Sequence, residues 1–116
     1  MLNHLENHQT RNTYRMGDVV IDICQRTVHV KVCEIAFTHK EFNILRFFAA
    51  HRGWALSKQQ ILDAVWSSQC DANYHAVENA IYRIRQKLGN SDTVKIHTMI
   101  GYGYKLVISN DTDICR

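Results

Sequence analysis

The sequence lacks the features by which membrane and secreted proteins are recognised. No apolar run approaches the roughly 20 residues that a membrane-spanning helix needs. The first residues, MLNHLENHQTRNTYR, are polar and have no hydrophobic centre of the kind found in signal peptides. We therefore expect a cytoplasmic protein.

Motifs for metal binding and catalysis are missing as well. The four cysteines stand at positions 24, 33, 70 and 115, without a CxxC pair or zinc-ligand spacing, so they are expected to be free thiols. There is no nucleophile-plus-base motif. The stretch GYGY at 101–104 precedes an apolar strand-like segment rather than a helix start, which argues against a phosphate loop. We expect no enzymatic activity, no metal and no cofactor.

The chain also contains no proline, internal repeat or low-complexity segment, and its 116 residues suit one domain. The net charge of +3 and pI of about 8.7 permit nucleic-acid binding without demanding it. The charge is unevenly placed: between Tyr74 and Lys105 five lysines and arginines stand against two acidic residues. Positive charge is therefore concentrated in the C-terminal third.

The N-terminal part alternates with the period of β-strands. Residues 1–16 show no periodicity and are predicted to be a flexible arm or linker. Three alternating sets follow and predict three short antiparallel strands: Val19, Ile21 and Ile23; Val28, Val30 and Val32; Ile35 and Phe37. The turn expected near Cys33–Glu34 has neither Gly nor Asn, the residues that two-residue hairpin turns favour.

The period then changes to that of helices. Thr38 with Glu41, and Ser57 with Gln60, have capping-box spacing and predict the starts of two helices, the first with Gly53 at its end and the second spanning about 57–66. A third helix is predicted from Tyr74 to Leu88. The segment VKIHTMIGYGYKLVI, 94–108, predicts two strands and a Gly-containing turn.

The third helix is the most informative segment. A helical wheel places an apolar stripe on one side, formed by Val77, Ile81, Ile84 and Leu88. The opposite face is polar and carries His75, Asn79, Tyr82, Arg83 and Gln86, while Arg85 and Lys87 flank the stripe. Such amide, phenol, imidazole and guanidinium groups can bond to base edges and phosphates in a DNA major groove.

Charge pairing along this helix is also unusual. Glu78 has Ile81 and Tyr82, not a cation, three and four positions onward, whereas a plain solvated face usually carries such pairs. Periodicity alone leaves two interpretations of the polar face open: it reads DNA, or it is an ordinary solvent-exposed helix surface. The order of helix, loop, helix and hairpin is that of a winged helix-turn-helix and favours the first.

Four blocks together resemble the C-terminal effector domain of OmpR/PhoB-type response regulators. They are FTHKEFNIL (37–45), LSKQQILDAVW (56–66), HAVENAIYRIRQKLG (75–89) and IHTMIGYGYKL (96–106). The resemblance covers residues 17–108, which we take as the winged-helix DNA-binding domain, between the arm 1–16 and a C-terminal tail 109–116. It implies an α+β fold with an N-terminal four-stranded antiparallel sheet, three helices and a β-hairpin wing.

The resemblance also implies sequence-specific binding of double-stranded DNA and transcriptional regulation within a two-component system. The residues expected to contact DNA are His75, Asn79, Tyr82, Arg83, Arg85, Lys87, Lys58, Trp66, Thr98, Ile100 and Tyr104. The expected DNA sites are tandem half-sites, bound by a head-to-tail dimer that is monomeric when free. Loop 67–73 matches a segment that in some family members contacts RNA polymerase.

Two departures from the family pattern stand out. Ile100 occupies the wing-tip position where the family often has an Arg that enters the minor groove. No receiver domain precedes the effector domain in this sequence, so the chain is expected to be either part of a longer regulator or a stand-alone relative. The alternative function is a winged-helix protein-interaction module without specific DNA readout, because a fold does not fix a function.

Overall fold

The computed structural model describes residues 12–66 and 73–109. In them an N-terminal four-stranded sheet is followed by three helices and a second, three-stranded sheet, an α+β winged-helix arrangement. The elements are β1 (Thr13–Met16), β2 (Val19–Asp22), β3 (Thr27–Val30), β4 (Cys33–Ile35), α1 (His39–Ala50), β5 (Ala55–Ser57), α2 (Lys58–Val65), α3 (Tyr74–Lys87), β6 (Val94–Met99) and β7 (Gly103–Ile108).

The first sheet has one strand more than the residue pattern predicted. Its order is β1-β2-β3-β4, all antiparallel. Strand β1 lies within the segment predicted to be a flexible arm, so that prediction is wrong for residues 13–16, while residues 1–11 lie outside the described part. The alternation in β1 is too short to see in sequence, but Met16 is fully buried.

The hairpin between β3 and β4 also differs from expectation. Its turn lies at Lys31 and Val32, with φ of 51° and 66°, and not at residues 33–34. Val32, predicted as a strand residue, is therefore 93% exposed at the turn. Positive φ at both central residues is the geometry that matches the twist of the flanking strands, and here it is adopted without Gly or Asn.

Both predicted capping boxes are confirmed. The Glu41 amide donates to the Thr38 hydroxyl, and the Thr38 amide donates to Glu41 Oε1, at 3.2 and 3.0 Å. Ser57 and Gln60 make the same pair of bonds at the start of α2. These reciprocal bonds satisfy amides that a helix start leaves unpaired. Gly53, with φ of 86°, lies just beyond the end of α1.

The core lies between the two sheets and the three helices. Its large fully buried side chains come from every layer, and they include Met16, Ile21, Phe42, Ile44, Leu45, Phe48, Leu56, Ile61, Ile81, Ile84 and Leu106. Strand β5 was not predicted; it pairs with the second strand of the hairpin, so the second sheet has the order β5-β7-β6. No helix in residues 12–66 and 73–109 is long and apolar enough to cross a membrane.

Glu41 is a charged residue inside this core, only 1% exposed. Besides capping α1, its Oε1 accepts a hydrogen bond from the ammonium group of Lys87, at the far end of α3. Burial by itself raises the pKa of this carboxyl, but the bonds from Lys87 and Thr38 outweigh burial and hold the pKa below its ordinary value. The ion pair thus joins the start of α1 to the end of α3.

A second polar network joins the first sheet to the loop before β6. The Asp18 carboxylate accepts hydrogen bonds from the Ser91 and Thr93 hydroxyls and from the Asp92 amide, at 2.6 to 2.8 Å. Burial raises the pKa of Asp18, but these bonds together lower it below the ordinary value. Because the folded-state pKa is depressed, this contribution to stability is present at neutral pH and is lost as pH falls through that pKa. Gly17 is required here, since a Cβ would lie 2.1 Å from Thr93 Oγ1.

We predict that Lys87→Met lowers the free energy of unfolding by about 1–3 kcal/mol, because Glu41 is left as a buried carboxylate without its cation. The double variant Glu41→Gln/Lys87→Met should recover part of the loss, since the amide oxygen can still accept from Thr38 and no charge remains buried. Denaturant melts measure both. Lys95→Met, at an exposed position of β6, is the control. A Lys87→Met melt equal to that of the parent would show that the pair does not stabilise the fold.

Candidate nucleic-acid interface

Helix α3 separates a buried stripe from an exposed polar face. The predicted apolar stripe is confirmed: Val77, Ile81, Ile84 and Leu88 are all at most 4% exposed, and Ala80 joins them. The predicted polar face is confirmed as exposed and carries His75, Asn79, Tyr82, Arg83 and Gln86. The helix begins at an Asn73 cap, whose side chain accepts from the Ala76 amide at 3.2 Å.

Two side chains on this face are unengaged. Within residues 12–66 and 73–109, neither Arg83 nor Asn79 has a side-chain hydrogen bond or ion pair. Gln86 donates its amide to the Tyr82 hydroxyl at 3.0 Å, which holds these two side chains together one turn apart. The face therefore presents a guanidinium and an amide that can make bidentate bonds to a ligand.

Glu78 does find a cation, although not along its own helix. Its Oε2 lies 2.8 Å from the Nζ of Lys58, the first residue of α2, and its Oε1 lies 3.4 Å from Nδ1 of His75. Glu78 therefore has a pairing cation, contrary to the expectation from helical spacing. A partner 20 residues away in sequence is invisible to a rule based on helical spacing.

Arg85 faces the wing rather than the open polar face. Its Nε donates to the carbonyl of Ile96 at 2.9 Å, and its Nη2 donates to the Thr98 hydroxyl at 2.7 Å. Its guanidinium carbon also lies 5.5 Å from the centre of the Tyr104 ring. Arg85 thus fastens α3 to β6 and β7, in the same way that Lys87 fastens it to α1.

The other predicted contacts lie around this helix. Lys58 and Thr98 are each bonded as described, and Tyr104 is mostly buried beside Arg85. Trp66 is half-buried at the C-cap of α2, with Lys40 Nζ 5.3 Å from its ring centre. Of the loop 67–73, residues 67–72 lie outside the described part.

The wing tip is an exposed apolar side chain. Ile100 is 96% exposed, and the neighbouring Tyr102 is half-exposed. The Tyr102 amide donates to the carbonyl of Met99 at 2.8 Å, which closes the turn around Gly101 with its φ of 76°. The Tyr102 carbonyl in turn accepts from the Lys58 amide at 3.4 Å, so the tip is tied to the start of α2.

Gly103 does not share the turn role of Gly101. Its φ is not positive, and it is buried against β5. A Cβ at this position would lie 2.0 Å from the Leu56 carbonyl oxygen. Gly103 therefore allows β7 to pack closely on β5, while Gly101 alone supplies the left-handed turn residue.

Alanine substitutions at the two glycines should have different effects on stability and amide exchange. We expect Gly103→Ala to cost about 1–3 kcal/mol of stability, because the added methyl group overpacks the strand contact. It should also speed amide exchange in β5. Gly101→Ala meets no atom within 4 Å and should cost about 1 kcal/mol through backbone strain alone, with exchange in β5 unchanged. Equal exchange in both variants would contradict the close packing assigned to Gly103.

The chain is similar in sequence to known transcriptional regulatory proteins. Residues 25–106 match the family described as "Transcriptional regulatory protein, C terminal". The transcriptional regulatory protein CusR of Escherichia coli (strain K12) is 33% identical over 96 residues, covering 82% of this chain and 42% of CusR. The probable transcriptional regulatory protein TcrX of Mycobacterium tuberculosis is 37% identical over 91 residues, covering 78% of this chain and 39% of TcrX. This chain spans about two-fifths of the length of these relatives.

Solved structures of a response regulator and of DNA-binding domains have a similar fold. The RstA DNA-binding domain of Klebsiella pneumoniae, solved in complex with the RstA box, has a TM-score of 0.72 and 26% identity, covering 82% of this chain and 96% of that one. The DNA-binding domain of Escherichia coli CadC has a TM-score of 0.76 and 26% identity, covering 84% and 94%. Thermotoga maritima DrrB, an OmpR/PhoB homologue, has a TM-score of 0.74 and 28% identity, covering 91% and 50%.

Proposed function

Since this chain belongs to the family of OmpR/PhoB-type transcriptional regulatory C-terminal domains, we propose that it binds double-stranded DNA in a sequence-specific way and regulates transcription. Helix α3 enters the major groove with its polar face toward the bases. The observation that carries the proposal is the unengaged pair of Arg83 and Asn79 on the exposed face of a helix whose other cations are held by the protein itself.

The chemistry of these two groups fits base readout. A guanidinium makes bidentate bonds to guanine, and a carboxamide makes them to adenine. His75 and the Tyr82–Gln86 pair flank them and contact bases or the DNA backbone. Because Arg83 has no side-chain bond within the described residues 12–66 and 73–109, its donors are available there without the loss of an internal bond.

The residues around α3 supply phosphate contacts in this proposal. Lys58 and Thr98 are bonded to residues of α3, and Trp66 caps the preceding helix α2. In this proposal the backbone of a bound duplex passes these three side chains. Tyr104 is only 6% exposed, so its contribution to such contacts is the smallest of the four. Arg85 and Lys87 contribute mainly by holding the helix and by adding positive charge near the DNA.

The assembly on DNA is proposed from the family resemblance. The chain is monomeric when free and binds tandem half-sites as a head-to-tail dimer, with the half-sites about one helical turn apart. Loop 67–73 is proposed to contact RNA polymerase. Sizing with and without a two-site duplex tests the proposed assembly.

Arg83→Ala tests the readout. We expect specific binding to weaken by about 1–3 kcal/mol and the preference at one base pair to relax, because a bidentate base contact is lost. Selection of bound duplexes from a random pool, with parent and variant in parallel, measures both. Arg46→Ala removes an exposed arginine from α1 and serves as the control with the same charge change. An unchanged motif for Arg83→Ala would remove this residue from the readout. If the parent selects no motif and binds without salt dependence, the proposed function itself is wrong.

Ile100→Arg tests the wing. An aliphatic tip cannot neutralise phosphate or use the negative potential of a narrow minor groove. The arginine variant should therefore bind more tightly, most clearly at A·T-rich flanks. Its binding should also depend more steeply on salt, by about one ion per site. Dissociation constants across a salt series, on duplexes with A·T and G·C flanks, measure this. Equal slopes and no gain on either flank would mean that the wing tip does not approach DNA.

A further inference from the structure

Glu78 is the single acidic residue of α3, and it engages two of the proposed DNA contacts at once. Its Oε2 is 2.8 Å from Lys58 Nζ, and its Oε1 is 3.4 Å from His75 Nδ1. Lys58 opens α2 and His75 lies in the first turn of α3. One carboxylate therefore holds side chains from both helices on the surface proposed to meet the duplex.

This cluster is accessible to a competing anion. The side chains of Lys58, Glu78 and His75 are 32%, 39% and 86% exposed. The hydrogen bond from Lys58 holds the pKa of Glu78 below its ordinary value, and the same bond raises the pKa of Lys58. Both groups are therefore charged at neutral pH. A phosphate that approaches Lys58 must share it with this carboxylate or displace it.

We infer that Glu78 is a specificity-determining residue, which competes with DNA phosphate for Lys58 and His75 and so weakens binding to non-cognate DNA. The inference rests on the proposed function. Affinity for non-cognate DNA comes almost entirely from phosphate contacts, so a competing carboxylate on the contact surface lowers it directly. At a cognate site the base contacts of Arg83 and Asn79 fix the helix in one register, in which phosphate shares Lys58 with Glu78 instead of displacing it, so the carboxylate costs less there. The ratio of the two affinities therefore rises, because a penalty that is larger for non-cognate DNA does not cancel in the difference between the two binding free energies.

The expected effect is modest, because the pair is partly solvated. Exposed ion pairs shift an equilibrium by roughly 1.5- to 5-fold. In Glu78→Gln the side chain keeps its shape but loses its charge, so Lys58 becomes available to phosphate. We expect non-cognate affinity to rise about two- to fivefold and cognate affinity to rise less. The salt dependence should steepen by about one ion.

The matched control is Glu34→Gln. It makes the same chemical change and the same change in net charge at an exposed position of β4, in the N-terminal sheet. If Glu78 acted only through the net charge of the protein, the two variants would behave alike. We expect Glu34→Gln to leave the ratio of cognate to non-cognate affinity unchanged.

The competition itself is tested by a double-mutant cycle with Lys58→Met. Each protein is titrated with the selected cognate duplex and with a non-cognate duplex of equal length, at several salt concentrations. In the Lys58→Met background, Glu78→Gln should gain clearly less than in the parent, because the main contested cation is gone. Equal gains in both backgrounds would overturn the assigned competition.

Three other results for Glu78→Gln would overturn the inference. A loss of non-cognate affinity in Glu78→Gln would make Glu78 a positioning residue that orients Lys58 toward phosphate, and would overturn the inference. A changed preference at one base pair in pool selection would mean that the carboxylate reads a cytosine amino group, which also overturns it. If the parent selects a motif that depends on Arg83 and Glu78→Gln changes nothing, the inference fails alone while the proposed function stands.

Discussion

The carboxylate of Glu41 is the point on which the orientation of the third helix depends. It caps α1 and lies almost completely buried, so it needs a cation nearby, because a buried charge without a partner costs several kcal/mol. Lys87 supplies that cation from the last turn of α3, and its Nζ also lies 5.3 Å from the ring centre of Phe37. On the other side of the apolar stripe, Arg85 bonds to Ile96 and Thr98 of the wing strand. The two cations that flank the stripe thus fix the rotation of α3 from both sides.

That fixed rotation decides which groups of α3 remain available to a ligand. With the apolar stripe buried and both flanking cations bonded, the exposed face retains the Tyr82–Gln86 pair together with Asn79 and Arg83, whose side chains make no bond to another residue of the part of the chain that the structure describes. A helix built to read DNA needs such groups on a rigid support, because misplaced donors lose the geometry of bidentate bonds. The polar groups of the third helix are therefore of two kinds: Arg85 and Lys87 hold the helix in place, whereas Asn79 and Arg83 are available to a ligand.

The wing and the start of α2 form one unit beside this helix. Gly103 lets β7 lie against the carbonyl of Leu56, and the amide of Lys58 bonds to Tyr102 at the turn. Since Lys58 also pairs with Glu78, the first residue of α2 connects the wing turn to the first turns of α3. The surface proposed to meet DNA is thus a set of mutually bonded elements, and it includes the negative charge of Glu78.

The local features of this chain are predictable from the order of its residues. The two capping boxes, the start of the first helix, the bounds of the second and third helices to within about one residue, the apolar stripe, the polar face and the C-terminal hairpin were all predicted, because each depends on residues within a turn or two of one another. The first helix ends at Ala50, three residues before Gly53. Strands β1 and β5, of four and three residues, were missed because so few residues carry no readable period. The turn at Lys31–Val32 was misplaced because it lacks turn-type residues. Three features depend on tertiary packing instead: Arg85 and Lys87 are bonded within the protein, Glu78 pairs with Lys58, and Gly103 is a packing residue. Each of these partners lies 11 to 47 residues away in sequence, and contacts at that separation are set by how helices and sheets pack, which no local pattern encodes.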